Sequence, residues 1–128
     1  MKKILLIDDS DTYIWNLRKY LQRRGYPVKT ASTLNEARAA IQEEMPLVVC
    51  CDLDLPDGTA MELFHTLRRV AGMFQMKNPP VRLLPFFILT ENNDPATEYE
   101  YRHEGVNDYI TAPVNIPELI RRVLFFVE

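Results

Sequence analysis

Residues 47–58 read Leu-Val-Val-Cys-Cys-Asp-Leu-Asp-Leu-Pro-Asp-Gly, five apolar residues running without interruption into Asp52. An apolar run with no polar alternation reads as a strand buried on both faces, the habit of a parallel sheet covered by helices. Pro56-Asp57-Gly58 is strong turn chemistry, so Asp52 and Asp54 are expected where the strand stops and a loop begins. In open α/β sheets that edge is where ligands bind. A second run, Lys3 to Ile7, ends the same way, in Asp8-Asp9.

Helical spacing separates these runs. Ile14, Leu17 and Leu21, with Tyr13 and Tyr20, recur behind a cap at Ser10 or Asp11 and stop at Gly25. A short strand is expected over 27–31. Thr33 and Glu36 then form a capping box for a helix with Leu34, Ala37, Ile41 and Met45 on one face. Thr59 and Glu62 repeat the box ahead of Leu63, Phe64, Leu67, Val70 and Ala71. Phe86 to Leu89 is a further buried strand, ending at Thr90. Asp94-Pro95 opens a helix over 94–104, closed at Glu104, whose weak apolar face predicts light docking. A short strand around Asp108 to Ile110 and a last helix with Leu119, Ile120, Val123, Leu124 and Val127 on its buried side complete five strand-helix pairs. Such alternation predicts a single α/β domain with a central parallel sheet and right-handed crossovers.

The totals exclude several function classes. The 128 residues suffice for a core without metal or disulfide staples. The 15 basic and 18 acidic residues leave a net charge of −3 and no basic tract, which argues against direct nucleic-acid binding or a polybasic membrane anchor. No stretch approaches a membrane span, and Lys2-Lys3 followed by Ile4 to Ile7 is too short for a signal peptide. Cys50 and Cys51 are adjacent rather than spaced as metal or redox pairs, so they read as small buried side chains of a reducing cytoplasm.

Taken together, Ile7-Asp8-Asp9, the run Cys51-Asp52-Leu53-Asp54-Leu55-Pro56-Asp57-Gly58, Leu89-Thr90 and the segment from Gly105 through Asp108 and Tyr109 to Ala112-Pro113 resemble the receiver domain of two-component response regulators over essentially the whole chain. The resemblance implies a flavodoxin-like, doubly wound five-stranded parallel sheet of order 2-1-3-4-5 with five helices, as one receiver domain over 1–128 with no output domain. It implies a cytoplasmic signalling domain, not an enzyme, in which Asp52 accepts a phosphoryl group from a sensor histidine kinase or a histidine phosphotransfer protein and slowly loses it. Asp9 and Asp52 would bind Mg²⁺ directly, with Mn²⁺ a substitute; Asp8 would act through water and Asp54 through its backbone carbonyl. Thr90 would turn its hydroxyl to the phosphoryl group, and Tyr109 would rotate inward behind it.

Ala112 departs from the family pattern. A lysine usually stands there, pairing with the phosphoryl oxygen, and its absence implies altered switching or a pseudo-receiver that binds its partner independently of phosphate. By resemblance, the helix over 94–104, the Tyr109 strand and the last helix form a face for a homodimer or an effector. Residues 72–84 exceed the usual connection, and Met73, Phe74 and Met76 there either lengthen the third helix or offer an adaptable partner surface. His65 and His103 read as plain surface residues. Asp52 and Asp54 also resemble the aspartate pair of haloacid-dehalogenase-like phosphatases, which place it on an early strand and use a lysine not found here.

Overall fold

The computed structural model describes residues 2–74 and 84–127; the side chains of residues 11–13, 70–74 and 127 lie outside that description. Among the described residues, seven strands and five helices follow one another: β1 (Ile4–Ile7), α1 (Asp11–Arg23), β2 (Val28–Ala31), α2 (Leu34–Glu43), β3 (Val48–Cys51), β4 (Asp54–Leu55), β5 (Gly58–Thr59), α3 (Ala60–Phe74), β6 (Phe86–Thr90), α4 (Pro95–Glu104), β7 (Asp108–Thr111) and α5 (Ile116–Val127). Five strands form one parallel sheet in the order β2-β1-β3-β6-β7. Counting only those strands, this is the expected 2-1-3-4-5. The two-rung antiparallel hairpin β4-β5 sits in what the sequence suggested was a plain turn.

Alternation within the strands divides the core. Leu5, Ile7, Val49, Cys51, Phe86 and Ile88 point to the face covered by α2, α3 and α4. Ile4, Leu6, Val48, Cys50, Phe87 and Leu89 point to the face covered by α1 and α5. Because both faces are covered, these strands carry no polar alternation, which is why they read as apolar runs. Phe64 of α3 is 2 % exposed and meets Phe86 edge-on at 5.3 Å, while Phe126 meets Phe87 at 5.6 Å on the opposite face. The buried thiols of Cys50 and Cys51 are pushed up by burial, so both behave as small apolar side chains.

Helix termini follow the sequence signals with two changes. Ser10 stands at the N-cap of α1 but makes no side-chain cap bond; its backbone N–H donates instead to Asp8 Oδ1 at 2.8 Å. On α2, Thr33 Oγ1 accepts from Glu36 N at 3.1 Å, yet Glu36 Oε1 reaches back to Ser32 N and Oγ at 2.8 Å rather than to Thr33. The amides of Leu34 and Asn35 are taken by Asp57, from the far side of β3. Met45, expected on the buried face of α2, lies beyond its end and is 51 % exposed. α2 ends two residues earlier because Pro46 disfavours helical geometry ahead of it.

Helix α4 is docked as lightly as its composition predicts. Tyr101 is its one buried residue; the rest of its attachment is polar. Arg102 bonds Glu98, Asp108 and the Tyr109 carbonyl, and Asp108, 9 % exposed, is also paired with Arg122 of α5 at 3.0 Å. His65, expected to lack acidic company, lies 2.7 Å from Glu104 of α4, a partner 39 residues away. His103 stacks on Tyr99. In the segment from Gly72 to Leu84, α3 extends through Phe74, and residues 75–83, including Met76, lie outside the described residues. Among the described residues no helix is long and apolar enough to cross a membrane.

Phe64→Ala removes a fully packed ring at the α3-sheet junction. We expect it to lower unfolding stability by about 3–5 kcal/mol, read as a drop in urea midpoint at unchanged slope.

Candidate functional site

The site is assembled by register. β1 and β3 are parallel neighbours with Ile7 opposite Cys51, so the chain leaves both strands side by side, into Asp8 and Asp52. The Asp52 N–H donates to Ile7 O at 2.9 Å and the Asp8 N–H to Ala31 O at 3.0 Å, extending the sheet bonding one residue past each strand. One carboxylate oxygen from each of Asp8, Asp9 and Asp52 lies within 4.8 Å of the others. Asp54 is exposed in β4 and its carboxylate is not one of this set.

Thr90 ends β6, next to β3, and is 6 % exposed. Its hydroxyl faces the Asp52 carboxylate and accepts the Asn92 N–H at 3.0 Å. Tyr109 lies on β7, 3 % exposed, its hydroxyl donating to Asn92 O at 3.1 Å and its ring 6.3 Å from Tyr101. Tyr109 is therefore a buried inward ring and not a half-exposed one. Asn92 connects the two switch candidates, one through its N–H and the other through its carbonyl. Sequence reading missed it because the bond joins residues 17 apart, from the turn that follows β6 to the hydroxyl of a residue whose register partner is Ile88.

A cleft of about 290 Å³ opens over the acids, lined by Asp8, Asp9, Ser10, Asp52, Leu89, Thr90, Glu91 and Ala112. Ala112 takes its place through a bond from its N–H to Thr90 O at 2.7 Å. Among these lining residues none carries a positive charge. Glu91 adds another carboxylate that the sequence reading did not single out. The signal was its position directly after the Thr90 strand end.

Electrostatics follow from this crowding. Burial pushes Asp8 up to about 6, with the Asp52, Asp9 and Glu91 charges acting in the same direction against a lowering bond from the Ser10 N–H. Burial also raises Asp52, opposed by bonds from the Leu53 N–H, at 2.8 Å, and from Thr90. Carboxylates this close cannot all ionise without cost unless a cation joins them. Three hard oxygen donors at this spacing, facing an open cleft, fit an Mg²⁺ ion that keeps several waters, and Mn²⁺ accepts the same donors.

The family model for the response regulator receiver domain matches residues 4–124. The photosynthetic apparatus regulatory protein RegA of Rhodobacter capsulatus is 25 % identical over 123 residues, 96 % of this chain and 61 % of RegA. The protein PilH of Pseudomonas aeruginosa is 26 % identical, with 96 % of this chain and 95 % of PilH covered. The chain thus spans about three fifths of RegA and nearly all of PilH. A crystal structure of a response regulator receiver domain protein from Clostridium thermocellum superposes with a TM-score of 0.81 at 24 % identity, over 99 % of this chain and 94 % of that one, a likeness of fold.

The Asp8 shift has a definite sign. Between pH 4 and pH 6 the unfolded chain gives up the Asp8 proton while the folded protein keeps it, so stability falls as pH rises through that window. In chelator-treated protein, Asp8→Asn is expected to raise the urea midpoint at pH 7 and leave it nearly unchanged below pH 4. Added Mg²⁺ should stabilise the wild type more than the variant.

Proposed function

The chain belongs to the response regulator receiver domain family, and from that premise we propose that Asp52 is the phosphoacceptor, taking a phosphoryl group from a phosphohistidine of a sensor histidine kinase or a histidine phosphotransfer protein. The observation that carries this reading is the juxtaposition of Asp52 with Asp8, Asp9 and the Thr90 hydroxyl at the mouth of one cleft. In the transfer, an Asp52 oxygen forms the new bond to phosphorus while the phosphorus–nitrogen bond of the donor breaks, and the imidazole leaves carrying the bonding pair and takes up a proton. Asp9 and Asp52 would hold Mg²⁺ directly, Asp8 through water and Asp54 through its backbone carbonyl. Bound there, the ion would supply charge neutralisation for the carboxylates and polarise the phosphoryl oxygens. The Thr90 hydroxyl would be the donor to the phosphoryl group.

The site differs from the family pattern in its charge. A lysine-phosphoryl bond is charge-assisted and worth about 1.5–3 kcal/mol, so with Ala112 in its place the phosphorylation-driven population shift is weakened by about ten- to a hundredfold. The nucleophile and metal ligands are unaffected by that loss. The Tyr109 ring is held inward by Asn92 O and Tyr101, and this favours a second reading, a pseudo-receiver whose α4-β7-α5 face engages its partner constitutively. That face, built on the helix over 94–104, the Tyr109 strand and the last helix, is our proposed surface for a homodimer or effector. The chain is a signalling domain by this account and carries no sustained phosphatase turnover.

Incubation with Mg²⁺ and acetyl phosphate, followed by intact mass spectrometry, tests the primary reading. One added phosphoryl group is expected on the wild type and none on Asp52→Asn. An unmodified wild type that also fails to bind beryllofluoride, while folded, favours the pseudo-receiver. Among acceptor-competent proteins, Ala112→Lys is expected to enlarge the beryllofluoride-induced shift of the Tyr109 ring resonances; an unchanged shift would show that the lysine position does not limit switching.

A further inference from the structure

We propose that Asp57 is a positioning residue for the acceptor loop, clamping the segment that follows Asp52 to the first turn of α2 and so holding the metal-binding groups in place; this rests on the reading of Asp52 as a Mg²⁺-dependent phosphoacceptor. Asp57 Oδ1 accepts the Leu34 N–H at 2.8 Å and Oδ2 accepts the Asn35 N–H at 3.0 Å, bonds that span 23 and 22 residues. With Thr33 Oγ1 on the Glu36 N–H, the first three amides of α2 are all satisfied. Two of the three are satisfied by a residue from another loop.

Capping alone does not account for Asp57. Thr33 already caps α2, and Asp57 is exposed, so water could take the amides it holds. The bonds matter for what they join. Beyond Asp52 the loop is secured at its base by Leu53 N–H to Asp52 Oδ1 and by Ala60 N–H to Leu53 O at 2.9 Å. Between those points lies the hairpin β4-β5, with Asp54 opposite Thr59 and Leu55 opposite Gly58; Leu55 is anchored in the core, and the exposed tip beyond it is not. A ladder of two rungs is marginal without outside support.

Asp57 provides that support at the tip. Its bond from the Leu34 N–H, and next that from Asn35, hold its carboxyl below the usual range, so it stays an anion facing the helix N-terminus. Beside it, Gly58 has φ of 150°, and a Cβ there would come within 2.8 Å of Leu34 Cδ1 and 2.4 Å of Glu62 Oε2. The hairpin tip is thus seated directly on the start of α2, with Leu55 and Gly58 on the rung next to it and Asp54 on the rung below. Linkage is reciprocal: if the clamp favours metal loading, loading must tighten the clamp. The α2 amides then report occupancy of the site by a route that does not pass through residue 112.

Mg²⁺ titration by calorimetry on the full chain, with denaturation and amide exchange on the same samples, tests this. Asp57→Ala is expected to weaken Mg²⁺ binding about tenfold, the effect of losing a ligand's supporting contact. Thr33→Ala, which removes the other cap of the same helix end and leaves the loop alone, should lower stability but keep wild-type Mg²⁺ affinity. Mg²⁺ should slow exchange of the Leu34 and Asn35 amides in the wild type and in Thr33→Ala, and leave it unchanged in Asp57→Ala. If Asp57→Ala loses only stability, or if Thr33→Ala weakens Mg²⁺ equally, Asp57 is merely a cap and the inference falls. Should Asp57→Ala not fold, Asp57→Asn, which keeps a single acceptor oxygen, is read by the same criteria. A folded wild type that takes up no Mg²⁺ overturns the phosphoacceptor reading itself, a failure separable from that of the clamp.

Discussion

Mutual repulsion among carboxylates, forced together by parallel strand pairing, is the constraint on which the reactive edge depends. Ile7 and Cys51 pair across the sheet, so the next residue on each strand is an aspartate with no freedom to move away. The energy needed to keep Asp8 and Asp52 half-buried there is drawn from the two apolar cores beneath them. Parallel strands covered on both sides supply that rigidity, and a site on a free loop would simply spread its charges apart. The raised pKa of Asp8 reflects its burial first, with repulsion from Asp52, Asp9 and Glu91 adding to it.

Around this edge the fold distributes two kinds of attachment. α1 and α5 cover one face through Leu17, Leu21, Leu119 and Val123, and α2 and α3 cover the other through Leu34, Ala37, Leu63 and Phe64; these are apolar and stiff. α4 is different, joined by the Tyr101 ring and by the Arg102-Asp108-Arg122 bridge. Polar and aromatic contacts exchange partners at lower cost than a packed core can be reopened, so α4 and the Asn92 turn are the less firmly held part of the fold. Thr90 and Tyr109 meet on opposite sides of that turn.

The cleft itself is unbalanced. It presents Asp8, Asp9, Asp52 and Glu91 and, at Ala112, a methyl group, so none of the residues that line it carries a positive charge. The seating of the acceptor loop on α2 through Asp57 belongs to the same logic, since a loop that must hold a cation against repelling groups benefits from a fixed tip.

The strands, their order of appearance and the acids at their ends were legible in the chain because buried parallel strands are unbroken apolar runs, and a change from apolar to acidic marks the edge of the sheet. The capping signals of α2 and α4 were equally local, each relying on a side chain within three residues of the amide it serves. Contacts that close over long separations were not legible: Asp57 on α2, His65 on Glu104, Tyr109 under Asn92. Each residue type there has several ordinary local uses, and nothing in the neighbouring sequence distinguishes them. The chain by itself determined which residues stand at the reactive edge, since periodicity and turn chemistry act over a few residues. Only the tertiary structure decided what surrounds them, because register, crossover and helix seating set which distant side chains arrive within hydrogen-bond reach.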